Sequence, residues 1–109
     1  MSLTAKHCIA CRGGMPILSL VTATQYQQQT PQWELRENAT KIARRFKFSN
    51  FSEALAFVQK VAELAETEGH HPDITFGWGY CEILLYTHKI KGLHENDFIM
   101  AAKVDALLH

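Results

Sequence analysis

Residues 50–72 read NFSEALAFVQKVAELAETEGHHP. Asn50 is a strong helix N-cap, and Glu53, three residues on, completes a capping box. Phe51, Ala54, Leu55, Val58, Ala62 and Ala65 recur at helical spacing, and Phe57, Val61 and Leu64 widen the stripe. An amphipathic helix therefore fills this stretch. Gly69 is its natural stop. Pro72 biases His71 toward extended backbone, so the helix delivers His70 and His71 into a turn that leads to a strand.

Downstream of that turn, residues 74–78 (ITFGW) and 81–88 (CEILLYTH) are rich in aromatic and β-branched residues and predict a hairpin with a two-residue loop around Gly79. Residues 91–93 predict a loop, and a last helix is expected from near His94 through Leu107. Upstream, residues 33–36 (WELR) and 41–48 (KIARRFKF) alternate apolar with polar around a turn at 37–40. They predict a first hairpin with Ile42, Phe46 and Phe48 on one face and Lys41, Arg45 and Lys47 on the other. Residues 17–29 predict a short helix stopped by Pro31, and residues 1–14 a flexible lead-in. The order is α-β-β-α-β-β-α. Two hairpins can join in one four-stranded antiparallel sheet whose apolar face is covered by the helices, which is an α+β fold.

The chain of 109 residues suits one domain, and 47% hydrophobic with 20% charged residues places it among globular proteins rather than disordered ones. Formal net charge is zero, which argues against a general electrostatic grip on nucleic acid or an anionic membrane. Three cysteines, Cys8, Cys11 and Cys81, do not make a disulfide framework. No apolar run approaches a membrane span, and the N-terminus lacks the pattern of a secretory signal, so a cytoplasmic location is expected.

His70, His71 and His88 carry the chemical interest. In a tight hairpin the far end of the second strand returns to the start of the first, so His88 is expected close to the histidine pair. Glu66, one helical turn before His70, can face the same place and set a tautomer. Three readings stand at this level. The histidines can be helix-end and solvent-facing residues, with Asp97 serving only the positive end of the last helix. They can hold zinc, although neighbouring side chains on extended backbone point to opposite faces. They can transfer protons, since imidazole titrates nearest neutral pH. Cys8 and Cys11 read as incidental thiols, because no second ligand pair is evident. Trp33 and Trp78 are expected partly in the core, with either able to stack on a flat ligand. No phosphate loop, nucleophile elbow or dinucleotide fingerprint is present.

Glu66-x₃-His70-His71-Pro72, followed by His88 and by Gly92-Leu93-x₃-Asp97, resembles the signature of the pterin-4a-carbinolamine dehydratases. Residues 33–35, 46–51 and 54–57 are similar to that family's first hairpin and long helix. Residues 87–102 and His7-Cys8-x₂-Cys11 are similar to its bacterial branch. The resemblance implies an α+β fold and a homodimer or homotetramer. It also implies loss of water from 4a-hydroxytetrahydropterin to give quinonoid dihydropterin, without metal or other cofactor, the pterin being the substrate. By position it gives acid/base roles to His70 and His88 and a pterin-orienting role to His71. Glu66, Asp97, Trp33 and Pro72 become binding or supporting residues. It implies a functional link to an aromatic amino-acid hydroxylase such as phenylalanine hydroxylase, and, as an alternative, a regulatory dimerisation role or a place in another pterin pathway. Two departures stand out: Asn96, where some members have a basic residue, and Gly69, where some have a carboxylate.

Overall fold

The computed structural model describes residues 3–10 and 13–108. After a short 3₁₀ turn at Leu3–Ala5, the elements run α1 (Leu20–Gln27), β1 (Glu34–Arg36), β2 (Lys41–Lys47), α2 (Phe51–Glu68), β3 (Asp73–Gly77), β4 (Tyr80–Leu85) and α3 (Glu95–Ala106). The four strands form one antiparallel sheet in the order β1-β2-β4-β3, as the α+β reading expects.

The register fixes which side chains meet. Ile42 pairs with Leu85, Phe46 with Cys81, and Ile74 with Ile83. Directly paired residues share a face. Ile42, Phe46, Cys81, Ile83 and Leu85 are all buried on the inner face, where the helices cover them. Phe57 and Val61 of α2 and Phe98, Met100 and Val104 of α3 complete the core. Each such side chain, when fully buried, contributes roughly 1.5–3 kcal/mol.

The cap and stop of α2 lie where the sequence predicts them. The Asn50 side chain accepts the Glu53 N–H at 2.9 Å, and Gly69 adopts φ 65°, a left-handed conformation that favours glycine. The phase of the helix differs from expectation. Its buried line is Ala54, Phe57, Val61 and Ala65, while Phe51 and Leu55 are exposed. Continued one turn, that line reaches Glu68, so this carboxylate points inward and not to solvent.

Several boundaries also move. The first helix starts at Leu20 and not at 17, because Ser19 caps it by accepting the Thr22 N–H, and Leu18 instead donates its N–H to Leu93 O. Trp78 sits in the two-residue loop of the second hairpin and is 72% exposed, not partly core. Gly79 takes φ 81° there and its carbonyl accepts the Phe48 N–H. The second strand of that hairpin ends at Leu85, not at His88. Its ladder with β3 stops at Asp73, and its ladder with β2 at Ile42. Thr87 then makes a separate bridge to Gly92, and His88 falls in the turn between them.

The expected flexible lead-in is a docked segment over residues 3–10. Leu3 is buried in the core, the Cys8 N–H donates to Glu68 Oε1 at 2.8 Å, and Ile9 exchanges two hydrogen bonds with the Asn96 side chain. Cys11 lies outside the described residues. Among the described residues no helix is long and apolar enough to cross a membrane.

Candidate active site

The C-terminal end of α2 positions the first histidine through its backbone. The N–H groups of Gly69 and His70 both donate to Ala65 O, the latter at 3.2 Å. This closes the helix and fixes the His70 Cα. The ring turns inward and is 6% exposed. Its Nε2 lies 2.7 Å from Oδ1 of Asp97, a residue with no exposed surface.

Asp97 comes from the first turn of α3. Its Oδ2 accepts the N–H of His94, the N-cap residue, at 3.0 Å, and the hydroxyl of Thr87 at 2.8 Å. The same carboxylate thus caps a helix and grips an imidazole. Three donors satisfy a charge buried from water, which is what such burial requires. A carboxylate only accepts, so His70 Nε2 carries a hydrogen, and in the neutral ring the lone pair sits on Nδ1.

His71 points the other way, as successive side chains in extended backbone do. It is exposed and hydrogen-bonds through Nε2 to Glu66 Oε2, itself exposed one helical turn back. An exposed pair of this kind orients a ring while adding little stability. His88 is exposed as well. Its ring packs on Tyr86 with centroids 4.3 Å apart, and the Lys41 ammonium lies 4.6 Å from the centroid of the same tyrosine ring.

His70, His71 and His88 line one open cleft of about 210 Å³, together with Tyr86, Thr87 and Lys89. The hairpin geometry therefore brings His88 to the pair as the sequence predicts. Asp97 stands behind His70, and Glu66 stands beside His71. Pro72 leads the chain from His71 into β3 and does not line the cleft. Trp33 is not brought there. It is fully buried, packs edge-on against Phe46, and donates its indole N–H to Asp105 Oδ1 at 2.9 Å. Asp105 also takes Arg44 at 2.7 Å. The pull of this partner, 72 residues away, sets the Trp33 ring at the opposite end of α3 from Asp97.

Sequence reasoning missed Thr87 and Glu68. Thr87 is buried and its only sequence signal is its place beside His88. Glu68 was hidden by the assumed phase of α2. Burial alone would raise its pKa, but hydrogen bonds from the Cys8 N–H, Lys103 and His7 outweigh that and hold the carboxyl at about 2. Burial, followed by the nearby Glu68 charge, pushes the Cys8 thiol up to about 12, and burial pushes Cys81 to about 11, so neither is a thiolate nucleophile at neutral pH. Among the described residues no group of three or more His, Cys, Asp or Glu side chains is arranged to hold a metal ion.

A family model described as pterin 4 alpha carbinolamine dehydratase matches residues 18–107. A Methylococcus capsulatus protein that carries the pterin-4-alpha-carbinolamine dehydratase name is 60% identical over 106 residues, covering 97% of this chain and 93% of its own. A Halorhodospira halophila protein of the same name is 57% identical over 107 residues, covering 98% of both chains. Among solved structures, a transcriptional coactivator/pterin dehydratase from Brucella melitensis superposes with a TM-score of 0.80 at 29% identity, over 86% of this chain and all of that one. A pterin dehydratase-like protein identified as a RuBisCO assembly factor in the alpha-carboxysome superposes with a TM-score of 0.61 at 34% identity, over 70% of this chain and 88% of that one.

Proposed function

The chain belongs to the pterin-4a-carbinolamine dehydratase family, a family of hydro-lyases, and on that premise we propose that its cleft dehydrates a 4a-hydroxytetrahydropterin by histidine acid/base catalysis. The reaction breaks the C4a–O bond and removes the proton on N5, giving quinonoid dihydropterin and water. Hydroxide is a poor leaving group, so an acid must protonate the departing oxygen while a base takes the N5 proton. The two transfers balance, and no redox cofactor enters the equation. Each well-placed group is worth about 10²–10⁴-fold.

The carrying observation is the shared cleft of an imidazole backed by a buried carboxylate and a second, solvent-exposed imidazole. In this reading His70 is the base: Asp97 fixes its ring, keeps the hydrogen on Nε2 and stabilises the imidazolium that forms. His88 is the acid and can exchange its proton with solvent after each turnover. His71, turned by Glu66, orients the pterin ring. Stopped-flow absorbance with 4a-hydroxytetrahydropterin tests this. His70→Ala and His88→Ala should each lower kcat by about 10²-fold or more, and full activity in the double variant would refute it. In this reading the enzyme acts in the cytoplasm after a pterin-dependent aromatic amino-acid hydroxylase, such as phenylalanine hydroxylase, whose product is the carbinolamine.

A self-associating, partner-binding surface is the second part of this reading. Phe51 and Leu55 on α2 are exposed, and Phe51 packs on Phe76 of edge strand β3 with ring centroids 5.6 Å apart. With zero net charge, such a patch favours a homodimer or homotetramer. Sedimentation that finds only monomer at micromolar concentration would remove this part. A regulatory role through a non-hydroxylase partner would appear as a stoichiometric complex that survives loss of His70.

A further inference from the structure

The docked N-terminal segment grips both helices that supply the His70–Asp97 pair, and it does so one or two residues from each partner. Glu68, two residues before His70, accepts the Cys8 N–H at 2.8 Å. Asn96, immediately before Asp97, accepts the next amide, that of Ile9, at 3.0 Å, and returns its own amide hydrogen to Ile9 O at 2.9 Å. The Cys8 thiol reaches Asn96 O at 3.6 Å. Lys103 donates to Glu68 Oε2 at 2.9 Å and draws the last turn of α3 to the end of α2. Asn96 is 1% exposed and the Glu68 side chain 3%.

We propose that Asn96 and Glu68 are positioning residues, which use the backbone of Cys8 and Ile9 to set the separation between the end of α2 and the start of α3, and hence the His70–Asp97 hydrogen bond. Two consecutive amides can be only a short, bounded distance apart. Binding one to each helix therefore makes the segment a gauge of the distance between them. His70 hangs from a helix C-terminus and Asp97 from a helix N-terminus, both places where fraying is easiest. A catalytic pair must be held within about 0.5 Å of its productive geometry. Neither Asn96 nor Glu68 touches the cleft, so they act through the pair. Asn suits this task where Lys or Arg would not, because its oxygen accepts the Ile9 amide and those side chains carry no acceptor.

This inference rests on the dehydratase reading, and the test separates the two. Wild type, Asn96→Ala and Ile9→Pro are compared by stopped-flow kinetics and by NMR of the His70 ring Nε2–H. Ile9 is an exposed residue, and its replacement by proline removes the amide hydrogen that Asn96 accepts while also fixing φ at position 9 and restricting the backbone of Cys8. Asn96→Ala should lower kcat about tenfold, leave KM within about twofold, and shift the Nε2–H resonance with faster exchange. Ile9→Pro should do the same to a smaller degree, about threefold in kcat. Variants that melt earlier but keep kcat and the ring resonance would overturn the proposal and leave the segment a stabilising strap only. If Asn96→Ala does not fold, Ile9→Pro decides on the same criteria. An inactive wild type whose ring resonance still responds to both variants would sink the dehydratase reading and leave the positioning role standing.

Discussion

His70 and Asp97 are separated by 27 residues of chain and by 2.7 Å between Nε2 and Oδ1. The carboxylate's other oxygen is held by Thr87 and by the backbone of His94, so the imidazole is anchored to a group that is itself immobilised from two sides. Asp97→Asn tests what that anchor does. The amide oxygen will keep facing the two donors at Oδ2, which turns the NH₂ toward His70. Nε2 must then accept, the hydrogen moves to Nδ1, and the basic nitrogen is lost. We expect kcat to fall about 10²–10⁴-fold with the far-ultraviolet circular dichroism unchanged. A loss under threefold would mean that the tautomer is immaterial.

Thr87→Val removes the hydroxyl that Asp97 accepts, with little change of volume at a site that is 1% exposed. The carboxylate keeps its His70 and His94 donors. A stability loss of about 1 kcal/mol is expected in urea denaturation, together with a several-fold loss in kcat. An unchanged melting curve would show the hydroxyl to be redundant.

His88 packs on Tyr86 at the surface, so His88→Ala should cost less than about 0.5 kcal/mol of stability. If it is the acid, kcat should nevertheless fall at least about 10²-fold, and exogenous imidazole should restore part of it. Rescue of His70→Ala but not of His88→Ala would reverse the assignment of the mobile proton donor.

Glu68 sits in the last turn of α2, the end of a helix that disfavours negative charge. Burial would raise its pKa further, but hydrogen bonds from the Cys8 N–H, Lys103 and His7 outweigh that and lower it from 4.5 to about 2. A carboxyl depressed in the folded state adds stability above its unfolded pKa and loses it as pH falls toward the folded value. The contribution is therefore full above about pH 4.5 and fades between there and about pH 2. Glu68→Gln should cost about 1–3 kcal/mol at pH 7, and the gap from wild type should narrow at pH 3. A gap independent of pH would show that packing, not charge, fastens the N-terminal segment.

Much of the fold could be read from local chemistry. The Asn50 cap, the Gly69 stop and the tight turn around Gly79 are each set by neighbours within a few residues, and the hairpin they produce returns His88 to His70. What the sequence hid depends on distant partners. The strand ending at Leu85 stops because β2 and β3 run out of ladder, which residues 81–88 do not reveal. Trp33, expected partly in the core, is held away from the cleft by Asp105, and the N-terminal segment is docked by Asn96, 87 residues from Ile9. Glu68 was legible in principle: continuing the line Ala54-Phe57-Val61-Ala65 reaches it, whereas a stripe centred on Phe51 and Leu55 does not.

The amide of His70 donates to the same Ala65 carbonyl that ends α2. Its exchange with deuterium thus reports the opening of the helix end, not of the surface turn that follows. The ring whose proposed task is to trade protons within a catalytic cycle is carried on a backbone whose own proton should be among the slower ones in that loop to leave. Deuterium uptake at His70 relative to His71 becomes a gauge of how often the base departs from its carboxylate, read without any substrate.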